Sequence, residues 1–118
     1  MASVMVVDDS LFMRNRISKL LATNGYETIT AENGEEAVHS YRRNRPDAVL
    51  MDITMPLKDG LQALAEIREF DVRAIVIMLT AMSQELAAVR AVHLGAKDFL
   101  VKPAAPNLVL ASLENALG

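Results

Sequence analysis

The chain has 118 residues, a length for one domain, and its 52% hydrophobic and 23% charged content with only five glycines and four prolines excludes disordered and collagen-like chains. A net charge of −3 provides no electrostatic footprint for nucleic acid or an anionic membrane. Cysteine is absent, which removes disulfide scaffolds, thiolate metal sites and cysteine nucleophiles and fits a reducing compartment. The longest apolar runs, such as Ala74 to Ala81, fall far short of the roughly 20 residues of a membrane helix. The N-terminus lacks the basic start of a secretory signal, so a cytoplasmic location is expected.

In chain order, the first apolar run, Val4 to Val7, stops at Asp8 and Asp9. Met13, Ile17, Leu20 and Leu21 follow at helical spacing, and Gly25 supplies the stop. Glu27 to Thr30 alternates, which predicts a strand near a sheet edge. Asn33 with Glu36 three residues later predicts a capping box for a helix carrying Ala37, Val38 and Tyr41, with Pro46 past its end. Arg42, Arg43 and Arg45 read as charge at that helix's C-terminus.

The third run, Ala48 to Met51, ends on Asp52, and Leu61, Leu64 and Ile67 follow the Asp59-Gly60 turn. The fourth run, Ala74 to Leu79, ends on Thr80. Ser83 is placed to cap a helix carrying Leu86, Val89 and Val92 that stops at Gly95, and Met82 is placed to line the neighbouring strand end. Phe99 to Val101 ends on Lys102, and Pro106 opens a last helix with Val109, Leu113 and Leu117 on its inner side. His39 and His93 fall on predicted helices and read as surface residues. All runs but the second are continuously apolar, as in strands buried on both faces of a parallel sheet. Strand and helix alternating five times predict an α/β fold with helices on both faces.

The polar residues at the strand ends carry the chemistry. Parallel strands present their carboxyl ends at one edge, where ligands bind. Asp8, Asp9, Asp52, Thr80 and Lys102 therefore converge although they lie far apart in sequence. Each alone has an ordinary explanation: Asp8, Asp9 and Ser10 as helix caps, Asp52 as a turn former, Thr80 as a strand residue and Lys102 as a solvated strand end. Jointly they form a complementary set. Crowded carboxylates repel, so their pKa values rise or a cation neutralises them. With oxygen donors alone, the expected ion is Mg²⁺, with Mn²⁺ as the alternative. A carboxylate beside such an ion, with a Lys and a Thr in reach, is equipped to accept a phosphoryl group.

Asp8-Asp9-Ser10, Met51 to Pro56, Asp59-Gly60, Leu79-Thr80-Ala81 and Gly95 to Pro103 follow in an order that resembles the receiver domain of two-component response regulators. The resemblance spans the whole chain and is strongest to the single-domain chemotaxis branch, through Phe12-Met13-Arg14, Met51 to Pro56 and Ala81-Met82. It implies one receiver domain over residues 1–118, with the flavodoxin-like three-layer α/β/α fold and a five-stranded parallel sheet in the order 2-1-3-4-5.

The resemblance further implies that Asp52 is the phosphoacceptor for a phosphohistidine of a sensor histidine kinase. Asp9, Asp52 and the backbone carbonyl of Thr54 would bind Mg²⁺, with Asp8 acting through water. Lys102 and Thr80 would contact phosphoryl oxygens, Thr80 and Phe99 would form the switch, and the Lys102-Pro103 bond would be cis. An output protein would read the face of the fourth helix, fifth strand and fifth helix, a flagellar motor switch being one such partner. The chain departs from the family pattern at Ala104 and Ala105, where bulkier residues are common, and at Phe99, which lacks the commoner tyrosine hydroxyl. The expectation is a monomeric signalling switch, not an enzyme, without direct contact to nucleic acid or membrane.

Three other readings are weighed. A Mg²⁺-dependent aspartyl phosphatase would need a second Asp where Thr54 stands. An FMN carrier would need a phosphate cradle where Asp8-Asp9 would repel one. A receiver cut from a larger regulator would share every motif, and the expectation of a stand-alone chain rests on its start at Met1 and its stop at the last helix.

Overall fold

The computed structural model describes residues 1–81 and 85–118. Met82 and Ser83, with their predicted lining and capping roles, lie outside the described residues. The elements are β1 (Ser3–Val7), α1 (Leu11–Thr23), β2 (Glu27–Ala31), α2 (Gly34–Asn44), β3 (Ala48–Asp52), α3 (Gly60–Phe70), β4 (Val76–Thr80), α4 (Glu85–His93), β5 (Asp98–Val101) and α5 (Pro106–Leu117). The sheet is parallel throughout, in the order β2-β1-β3-β4-β5, as expected. Among the described residues no helix is long and apolar enough to cross a membrane.

The side-chain alternation of the central strands divides the core in two. Val4, Val6, Leu50, Ile77 and Leu79 face Ile17 and Leu21 of α1 and Val109 and Leu113 of α5. Met5, Val7, Val49, Met51, Val76 and Met78 face α2, α3 and α4 through Val38, Tyr41, Leu64, Ile67 and Ala91. The unbroken apolar runs within β1, β3 and β4, which stop at their polar ends, follow from this two-sided burial.

Helix ends follow the local chemistry. Ser10 caps α1 by accepting from the Met13 N–H at 3.3 Å. Asn33 accepts from the Glu36 N–H at 2.8 Å at the start of α2. Among the described residues, however, the two-way capping box belongs to α3, where Asp59 accepts from the Gln62 N–H at 2.8 Å and the Gln62 side chain accepts from the Asp59 N–H at 3.0 Å. Asn has the shape for the first half of the box, but a reciprocal bond needs the side chain three residues on to turn back.

Three readings change. β5 lies at an edge, as the expected strand order has it, but it is not buried on both faces as its continuously apolar run predicts: Phe99 and Val101 are 41% and 46% exposed. In α4 the buried residues are Ala88 and Ala91, whereas Leu86, Val89 and Val92 are exposed. Two small residues bring this helix close to the sheet, and the short edge strand beside it leaves no surface to cover the larger stripe. The arginine that ends α2, Arg45, also does more than complement its dipole. Arg45 bonds Asp71 at 3.0 Å and lies 4.5 Å over the Phe70 ring, while the Tyr41 hydroxyl donates to Asp71 at 2.7 Å. Burial and that bond push the Tyr41 hydroxyl up to about 12.

Candidate functional site

Three strand ends supply the site. β1 runs into Asp8 and Asp9, β3 terminates in Asp52, and β5 is followed by Lys102. Asp8, Asp9 and Asp52 each place a carboxylate oxygen within 4.8 Å of the others. Asp8 and Asp52 are buried and Asp9 is exposed, so two carboxylates form the floor and the third stands at the mouth. The Lys102 ammonium spans the floor, bonding Asp8 Oδ2 at 3.0 Å and Asp52 Oδ1 at 3.1 Å. Its backbone is fixed by β4, since the Lys102 N–H donates to the Thr80 carbonyl at 2.6 Å.

The backbone holds each carboxylate. Asp8 Oδ1 accepts the Ser10 N–H at 2.9 Å. Asp52 Oδ1 accepts the Ile53 N–H at 2.9 Å as well as Lys102, so Oδ2 is the oxygen that neither partner engages. Burial pushes the Asp52 carboxyl above the ordinary carboxylate value; the Lys102 charge opposes the rise and Asp8 adds to it. Burial works against the Lys102 charge too, but the bonds and charges of Asp8 and Asp52 outweigh it and hold its pKa above normal. The pocket therefore carries more negative charge than one ammonium neutralises. Its donors are all oxygen, in a chain without cysteine, which suits a hard divalent cation.

Thr80 closes β4 one residue past the partner of Asp52 in the β3–β4 ladder. It is buried, and its hydroxyl donates to the Ala81 carbonyl at 3.2 Å. Thr54 is an exposed residue two positions beyond Asp52. Phe99 stands apart from the carboxylates, on a groove of about 540 Å³ that also takes in Thr80, Val89, Val92, His93 and Val101. Phe99 and Thr80 thus share one cavity wall. The Lys102-Pro103 bond is cis.

Two supporting contacts, of residues already singled out in sequence motifs, escape the sequence reading. The Arg14 guanidinium donates to the Asp8 carbonyl at 2.7 Å and lies 4.0 Å from Glu32, tying the β1–α1 turn to the start of the β2–α2 turn. Gly60 opens α3 against the end of β3, its N–H donating to the Ile53 carbonyl at 2.7 Å. Neither contact has a periodicity signal, because each joins a side chain or amide to backbone from another element.

A family model described as the response regulator receiver domain matches residues 4–114. Chemotaxis protein CheY of Bacillus subtilis is 45% identical over 115 residues, spanning 97% of this chain and 96% of its own length. CheY of Thermotoga maritima is 43% identical over 111 residues, with 93% and 92% covered. Among solved structures, one from the CheX–CheY–BeF₃–Mg²⁺ complex of Borrelia burgdorferi superposes with a TM-score of 0.94 at 38% identity, covering 99% of this chain and 90% of that one. A receiver domain protein from Clostridium thermocellum gives 0.96 at 29% identity, covering 99% and 94%. The chain belongs to the response regulator receiver domain family, the phosphorylation-controlled switches of two-component signalling.

Proposed function

We propose that this receiver, residues 1–118, is a stand-alone regulator of chemotaxis type acting in the cytoplasm, in which Asp52 accepts a phosphoryl group from a sensor kinase phosphohistidine. One observation carries the reading: a single ammonium bonds two of three clustered carboxylates, leaving a negative pocket with Asp52 at its floor. The full-length match to CheY proteins supports the chemotaxis assignment.

Asp9, Asp52 and the Thr54 carbonyl would hold Mg²⁺, with Mn²⁺ as the alternative and Asp8 acting through water. The ion, when bound, screens charge on the transferring group. Asp52 Oδ2 attacks phosphorus while the P–N bond to the donor imidazole breaks and its electron pair stays on nitrogen. Lys102 pairs with a phosphoryl oxygen as the charge on Asp52 is replaced by that of the phosphate. The chain acts as acceptor in this step and assists it, without turning over a separate substrate. The overall test is labelling by a small-molecule phosphodonor with and without Mg²⁺; incorporation that ignores the metal contradicts the proposal.

The output face in this reading is α4, β5 and α5. A phosphoryl group gives the Thr80 hydroxyl a charged acceptor in place of the Ala81 carbonyl, and the turn opens space for the Phe99 ring to leave its exposed position. A few kcal/mol of charge-assisted bonding shifts such an equilibrium by about two orders of magnitude. Thr80→Ala should still take up phosphate but lose the response at Phe99. NMR of residues 98–101 with beryllofluoride checks this: shift changes as large as in the unmodified chain would exclude the Thr80 route. The output partner, a flagellar motor switch protein in this reading, would be sought by beryllofluoride-dependent pull-down.

A further inference from the structure

We propose that Gly34 is a positioning residue for the metal-dependent reaction, clasping the loop of residues 53–59 to the N-terminus of α2 and so fixing where the Thr54 carbonyl lies. This rests on the reading above that the Thr54 carbonyl is a metal ligand. The Gly34 N–H donates to the Lys58 carbonyl at 3.0 Å, joining the first turn of α2 to a loop that belongs to neither of its neighbours in sequence. A Cβ on Gly34 would fall 2.8 Å from the Lys58 carbonyl carbon, 2.9 Å from the Asp59 carbonyl oxygen and closer still to the Lys58 oxygen. These are backbone atoms, which cannot swing aside as a long side chain would.

The far end of the loop is held the same way. The Gly60 N–H donates to the Ile53 carbonyl at 2.7 Å, and a Cβ there would lie 2.9 Å from the Ile53 Cα. Between the two glycines the Lys58 N–H donates to the Pro56 carbonyl at 2.8 Å, and Leu57 is held at a φ of 67°. Leucine enters that left-handed region only when its surroundings impose it. The Leu57 side chain is 80% exposed, so packing does not offset the strain. Backbone contacts at the two glycines therefore define the loop. Helix propensity alone would favour alanine at position 34, inside the first turn of α2, so the close approach is the reason for glycine.

The test uses the full chain. In a Mg²⁺ titration followed by amide NMR, the Gly34 resonance should move with the same midpoint as those of residues 52–54. Gly34→Ala should raise the Mg²⁺ dissociation constant measured by calorimetry about tenfold, the scale seen when groups that orient metal ligands are altered. Phosphorylation of that variant at saturating Mg²⁺ should recover. Unchanged Mg²⁺ affinity in a folded Gly34→Ala protein, or a Gly34 resonance indifferent to Mg²⁺, overturns the clasp. If Gly34→Ala does not fold, Leu57→Gly, which releases the strained loop, should weaken Mg²⁺ binding instead, and an unchanged affinity again overturns it. Asp9→Asn separates this proposal from its premise. If Asp9→Asn leaves Mg²⁺ affinity intact, the metal site itself is misassigned; if it removes binding while Gly34→Ala does not, only the clasp fails.

Discussion

Asp52→Asn should take no label from a phosphodonor and, in EDTA, should melt higher than the unmodified chain. The first effect is the removal of the proposed nucleophile. The second follows from proton linkage. Burial raises the Asp52 pKa above its unfolded value, with Asp8 adding to the rise and Lys102 only partly opposing it. A carboxyl group whose folded pKa is raised contributes nothing adverse below the unfolded value, where both states are protonated. As pH rises through the folded pKa, the native state must hold an ill-solvated charge, and stability is lost. Neutral pH lies above the unfolded value, so the native chain bears a cost there, and Asn relieves it while leaving Lys102 its bond to Asp8. About 1 kcal/mol moves the Tm of a domain this size by roughly 3–6 °C. Calorimetry of both proteins at pH 4 and pH 7 checks the sign: the gain should shrink as pH falls. A lower Tm for Asp52→Asn at pH 7 would contradict the pKa direction.

Lys102→Ala should act the other way, with a larger effect on stability. It removes the only ammonium that the described residues bring to both Asp8 and Asp52, at 3.0 and 3.1 Å, and leaves two buried carboxylates facing each other. Breaking such a pair from one side costs about 3 kcal/mol, the low end of the range because the pocket opens to solvent. Mg²⁺ should then stabilise the variant more than the parent, since ligand at 100 times its dissociation constant adds about 2.7 kcal/mol and binds here without a competing ammonium. Denaturant melts with EDTA and with Mg²⁺ measure both quantities. Adding Asp52→Asn to Lys102→Ala should recover part of the loss, because the two residues share one electrostatic site. Equal Mg²⁺ stabilisation of parent and variant would mean that Lys102 does not compete for the pocket.

The site was legible because each of its charged groups ends an apolar run. Val4 to Val7 before Asp8, Ala48 to Met51 before Asp52, and Phe99 to Val101 before Lys102 mark both the strand and its end, and parallel topology does the rest. α4 was less legible. Leu86, Val89 and Val92 have helical spacing, but so do Ala88 and Ala91, and hydrophobicity alone favours the larger set. Which stripe faces inward depends on how closely the helix must approach the sheet, a tertiary fact. β5 misled for a related reason, as an apolar edge strand reads like a central one when its neighbour is missing. Arg14, Gly34 and Gly60 act on backbone atoms of other loops, and a carbonyl leaves no trace in a sequence.

The bond between Lys102 and Asp8 joins positions 94 residues apart, and that distance governs when the pocket becomes electrically balanced. During synthesis the acidic strand ends of β1 and β3 leave the ribosome well before β5 does. Until then no other described residue offers the bridging ammonium, and the entropy of closing so long a loop must be met before the bridge can form. A nascent chain ending before β5 would gather its carboxylates without a counter-charge, so their repulsion opposes premature docking of β1 on β3. Completion of the last strand then supplies the missing charge and the fifth strand of the sheet together, coupling the synthesis of β5 to the electrical closure of the pocket.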